Sequence, residues 1–167
     1  MRKYFFLILI CLFAINSYSQ ENATIKPEKN VVHGSFGTFI LFFQGQITYD
    51  RLLVSKPEDF FKSYYLTAKG GRHAYLDFSG SRSGSGYLTS LGLTALTGSG
   101  KNHFEIGFGL GYFSETNDEN PDEDFSDDSR FFPQISIGYR KQSANGFMFR
   151  TGIGVAEWAY VGFGYSF

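Results

Sequence analysis

Residue types that could do chemistry are unevenly spread along these 167 residues. Eight of the 16 acidic side chains fall in Glu115–Asp128, a stretch without Lys or Arg. They are Glu115, Asp118, Glu119, Asp122, Glu123, Asp124, Asp127 and Asp128. Hard divalent cations take several oxygen ligands, so weak calcium or magnesium binding is one reading of the stretch. The calcium-loop pattern fails, however, because no Gly falls at the turn and no Glu closes the loop. A solvated acidic loop without a metal is the expectation.

Other titratable groups sit singly in apolar alternating segments: Asp50, Lys69, Glu105, Arg140 and Arg150. Each falls on the polar face of its segment. Buried charges need partners, so Arg140 and Arg150 are expected to pair with Glu105, Asp50 or both. The expected role is structural rather than a proton or ion pathway. His103-Phe-Glu105 faces the same way near a turn, where a satisfied pair is expected in place of an acid–base couple. The sequence shows no phosphate loop, metal-ligand cluster or nucleophile elbow, and no cofactor or enzymatic activity is expected.

The elements that must position these groups follow a period of two. In His103–Tyr112, Phe104, Ile106, Phe108, Leu110 and Tyr112 face one way and His103, Glu105 and three glycines the other. Phe131–Lys141 and Gly146–Val155 repeat this code, as does the closing stretch Trp158–Phe167. There Ala159, Val161, Phe163, Tyr165 and Phe167 form the apolar face, and Trp158, Tyr160, Gly162, Gly164 and Ser166 the other. Looser versions run through Tyr87–Thr97, Phe60–Gly70 and Gln44–Val54. Aromatics make up 19% of the chain, with 20 Phe, 11 Tyr and 20 Gly, a bias towards strands. A mean hydropathy of -0.17 says little, since half the positions of a membrane strand avoid lipid.

The last strand resembles the C-terminal signature of bacterial outer-membrane barrels, with Phe163 and Tyr165 at alternate positions before a terminal Phe167. The resemblance extends in pattern over residues 31–167 but in motif only over the last strand. It implies an eight-stranded antiparallel up-and-down transmembrane β-barrel in the cell outer membrane. It also implies outer-membrane lipid, lipopolysaccharide and the barrel-insertion machinery as partners. His33-Gly-Ser35 resembles the His-x-Ser arrangement of outer-membrane lipid A deacylases. That family carries its dyad in a late strand facing lipid, whereas His33 and Ser35 fall in the first strand on the polar face.

Residues 1–19 read as a secretory signal peptide, with Arg2 and Lys3 before an apolar run from Phe5 to Ile15 and cleavage expected after Ser19. The run is short of the ~20 residues of a spanning helix. Removing it takes Cys11, the single cysteine, and two positive charges, moving net charge from -1 to about -3. Nucleic acid is not an expected partner of such a chain. Residues 20–30 read as a periplasmic lead-in.

Parity sets the strand count. Bacterial single-chain barrels have even strand numbers, short periplasmic turns and longer outer loops. Lys56–Asp59, Thr97–Asn102 and Ser143–Gly146 become periplasmic turns, and Gly71–Gly86 and Glu115–Ser129 become outer loops. Val31–Leu41 then supplies the eighth strand, with a tight turn around Phe42–Phe43. The alternative is one long strand across Gly37–Val54. A soluble lipocalin-like barrel would put its large apolar residues inside, where Arg140 and Arg150 would find no partner. Tyr49, Tyr112, Tyr139, Tyr165 and Trp158 fall near strand ends, as expected of an aromatic girdle. The function expected is non-enzymatic: a barrel with a packed polar lumen that contributes to envelope structure or surface interaction. A lipid-modifying enzyme and a narrow transporter of small apolar solutes are the alternatives.

Overall fold

The structure is a computed structural model, and it describes residues 27–75, 84–98, 100–116, 129–143 and 146–167. Residues 1–26 lie outside it, as do Asp118, Glu119, Asp122, Glu123, Asp124, Asp127 and Asp128 of the acidic stretch. The expected leader, most of the lead-in and the loop carboxylates therefore remain sequence readings.

Eight strands form one closed sheet: β1 (Asn30–Phe39), β2 (Phe42–Ser55), β3 (Phe61–Tyr75), β4 (Gly84–Thr97), β5 (Asn102–Thr116), β6 (Arg130–Gln142), β7 (Phe147–Gly154) and β8 (Trp158–Ser166). Each pairs antiparallel with its sequence neighbour, and β1 pairs with β8 to close the ring. Closure leaves no free edge, so every strand has a partner on both sides. Asn30 and Phe167 exchange backbone hydrogen bonds of 2.8 Å at the seam. One end of the barrel, the turn end, carries both ends of the sheet and the hairpins after β2, β4 and β6. The loop end carries the other connections.

The first pair is two strands, and its turn is Ile40–Leu41 rather than Phe42–Phe43. Phe39 pairs with Phe42, and Ile40 takes a φ of 52°. A two-residue hairpin with positive φ at its first central position is usually built on Gly. Ile40 adopts it because the pairing on both sides fixes the register. No Gly, Asn or Asp marks the turn in the run Phe39–Phe43, which is why the sequence pattern misplaces it. Gly146 fits its own turn better. It has φ 87°, and a Cβ there would sit 2.4 Å from the Tyr165 ring. Strands β3 and β5 run past their expected ends, to Tyr75 and Thr116, so Gly71–Tyr75 and Glu115 belong to strands and not loops.

Burial is inverted relative to a soluble barrel. Among the described residues, 28 large apolar side chains are exposed and six are buried, against 19 buried polar or charged ones. Alternation puts Ile47, Leu91, Phe108, Ile135 and Phe163 outside, and Thr48, Asp50, Lys69, Glu105, Arg140 and Arg150 inside. Trp158 departs from its alternation. Its φ is 53°, it is 43% exposed, and it stacks on Phe39 with ring centroids 4.4 Å apart.

Candidate functional site: a charge network sealed in the lumen

Asp50 on β2, Lys69 on β3, Glu105 on β5, Arg140 on β6 and Arg150 on β7 all point into the lumen. Glu105 is the hub. Its Oε2 accepts from Arg140 Nε at 2.5 Å and its Oε1 from Arg150 Nη2 at 2.7 Å. Arg140 continues across the barrel, with Nη2 donating to Asp50 Oδ2 at 2.8 Å. The other Asp50 oxygen accepts from Thr67 at 2.7 Å, and Thr67 in turn meets Thr94 at 2.7 Å. His33 Nε2 lies 3.4 Å from Asp50 Oδ2. Charge-assisted bonds of these lengths are stronger than neutral ones.

Lys69 joins the network through a residue that alternation does not find. Its Nζ donates to Glu157 Oε1 at 3.0 Å, and Arg150 Nη1 lies 3.5 Å from the same oxygen. The Gln46 side-chain amide also donates to Glu157. Glu157 belongs to the turn between β7 and β8, yet it is only 1% exposed. Ala156 and Trp158, on either side of it, have φ of 71° and 53°. These left-handed residues turn the carboxylate inward, where strict alternation would not place it. The Glu157 backbone packs on Gly37, at which a Cβ would come 2.2 Å from the Glu157 carbonyl oxygen. Burial pushes the Glu157 carboxyl up, but Lys69 and Arg150 outweigh it and hold the group below the usual carboxylate range. Charge balance was the available sequence signal. Lys69, Arg140 and Arg150 left one cation over after Asp50 and Glu105, and Glu157 is the missing anion.

Inward glycines make the room. A Cβ at Gly138 would lie 2.4 Å from the Tyr160 hydroxyl, and one at Gly162 would lie 3.0 Å from Arg150 Cγ. Tyr160 and Arg150 occupy that space face to face, with the guanidinium 4.3 Å from the ring centroid.

Both ends of the network are covered. At the turn end Val31, Tyr65, Leu96 and Met148 form a buried apolar cluster, with Leu52 against it. At the loop end the His73 ring stacks between Phe113 at 4.0 Å and Phe42 at 5.5 Å. Between these layers is a void of about 10 Å³, near the size of one water, beside Thr67, Lys69, Thr94, Gln134 and Ser136. A cavity of about 290 Å³ opens at the turn end, lined among others by Pro27, Lys62, Leu96, His103 and Gln142.

The remaining candidates lie apart from one another. His33 and Ser35 are both buried in the lumen, His33 against Asp50. His103 meets the carbonyl oxygen of Thr97 at 2.6 Å through Nδ1, at the turn end. Phe163, Tyr165 and Phe167 line the outer face of the last strand, each more than half exposed. No group of three or more potential metal ligands exists among the described residues.

No family model and no curated protein matches the chain. Among solved structures it is similar to the N-terminal β-barrel domain of Pseudomonas aeruginosa OprF. The TM-score is 0.60 at 16% identity, over 85% of this chain and 100% of that one. At that identity the likeness is one of fold: a closed, eight-stranded, all-antiparallel barrel.

Proposed function

We propose that this chain is a small integral outer-membrane β-barrel that acts without catalysis, anchoring outer loops that contribute to envelope structure or surface interaction. The inverted burial carries the reading. Twenty-eight exposed large apolar side chains would be costly in water, and they surround a lumen of 19 buried polar or charged residues. Barrels of eight strands have interiors that their own side chains fill. Every carboxylate of the network is engaged by a cation, and an apolar layer and an aromatic layer cover its two ends. Such a lumen suits a stabilising strut better than a pore or an acid–base site.

In this reading the turn end faces the periplasm, and the acidic residues between β5 and β6 belong to the side that carries lipopolysaccharide. The chain reaches its place with a cleaved leader and a last strand read by the barrel-insertion machinery. The test is a gel of the outer-membrane fraction with unheated and boiled samples. A membrane barrel stays in that fraction and changes mobility on boiling. A protein recovered in the periplasm with one mobility contradicts the proposal.

A further inference from the structure

Two surface clusters at the turn end repeat one arrangement. Asn30 opens β1 and pairs in register with Arg51 of β2. Its Oδ1 accepts from the Tyr49 hydroxyl at 2.8 Å and from Arg51 Nη1 at 2.6 Å. Asn102 opens β5 and pairs in register with Lys141 of β6. Its Oδ1 accepts from the Tyr139 hydroxyl at 2.6 Å. In each cluster a Tyr-x-basic triplet descends towards the turn end beside an asparagine. The middle residues, Asp50 and Arg140, are the pair that meets across the lumen at 2.8 Å. Strands β1/β2 and β5/β6 are half a circuit apart in the closed ring, so the clusters lie on opposite sides of the barrel.

We propose that each cluster binds the phosphate of an anionic phospholipid in the leaflet at the turn end. The proposal rests on the membrane reading above, which puts exposed Tyr49, Arg51, Tyr139 and Lys141 beside headgroups. The asparagine oxygen accepts the hydrogen bond of the tyrosine hydroxyl and fixes the ring. It engages one nitrogen of Arg51 and leaves the rest of the guanidinium for a phosphate, which such a fork suits. Lys141 supplies a mobile point charge at the equivalent place. Among the described residues no Asp or Glu side chain pairs with Arg51 or Lys141, so each cluster sets a cation, and no side-chain carboxylate, beside the ammonium of a zwitterionic ethanolamine headgroup. The expected preference is therefore for phosphatidylglycerol, and salt should weaken it.

Native mass spectrometry of the full chain, folded in detergent with equal phosphatidylglycerol and phosphatidylethanolamine, tests this. The same samples are run unheated and boiled on a gel. The wild type should retain two phosphatidylglycerol molecules, Arg51→Gln or Lys141→Gln one, and the double variant none. Lys141→Arg should restore the second, and Arg72→Gln, at the loop end, should change nothing. Undiminished retention by the double variant, equal retention of both lipids, or no retention by a heat-modifiable wild type overturns the sites while leaving the barrel standing. A chain without a heat-modifiable form overturns the membrane reading, and the sites with it.

Discussion

Glu105 and Phe108 stand three residues apart on β5 and face opposite surroundings: Glu105 is 1% exposed and Phe108 65%. The inner face holds charges in specific sets, where each group has one geometry and up to three named partners. The outer face holds large apolar side chains whose requirement is only to meet something apolar. A change inside should therefore be costly because it strands a partner. A change outside should be costly in proportion to the polarity it brings to lipid. The inner face is specific and the outer one generic, although the same strands carry both.

The largest effect should come from breaking the hub. Glu105→Ala leaves Arg140 and Arg150 without their shared acceptor, a loss on the order of 3–5 kcal/mol for a buried pair broken on one side. The urea midpoint of the heat-modifiable band reads it. Phe108→Arg on the same strand should cost about 2–4 kcal/mol in bilayers if it lies near the midplane, while Phe108→Leu should cost far less. Equal costs for Phe108→Leu and Phe108→Arg would remove the distinction between the faces.

Glu157 sharpens the comparison because it is a turn residue recruited by the lumen. Its carboxyl is held below its ordinary value of 4.5, so its contribution is present in full above that value and lost as pH falls below it. Glu157→Gln should destabilise the barrel by about 1–3 kcal/mol at neutral pH and flatten the acid limb of the stability profile. Unfolding midpoints for both proteins from pH 7 down to pH 3 check the sign. The smallest effect is expected at the exposed pair Lys56–Asp59, 3.5 Å apart in a turn-end hairpin. Lys56→Gln should shift the midpoint by no more than about 1 kcal/mol.

Alternation makes much of this legible in the sequence. Phe104, Phe108 and Ile135 read as outer and Glu105 and Arg140 as inner because a strand has no choice about parity once one face is committed. What alternation cannot carry is a residue that leaves the strand geometry. Ile40 turns the chain inside an apolar run that shows no turn residue, and Glu157 enters the lumen through two left-handed neighbours. Trp158 leaves its inner parity for the same reason. The lumen charges themselves name the partners of Arg140 and Arg150, but which arginine meets which carboxylate follows from ring closure, which sets β5 beside β6 and β2 across from it. The acidic residues 118–128 had composition and no periodicity to place them.

The central claim is that the apolar face meets lipid and the charged face is enclosed. Single cysteines at Gln134, Ile135, Ser136 and Ile137, in the chain without its leader and so without Cys11, carry spin labels into bilayers. The account predicts that labels at 135 and 137 collide with oxygen dissolved in lipid, whereas those at 134 and 136 are shielded from it. Labels at 135 and 137 that collide instead with a water-soluble nickel chelate would contradict it and make the chain a soluble barrel.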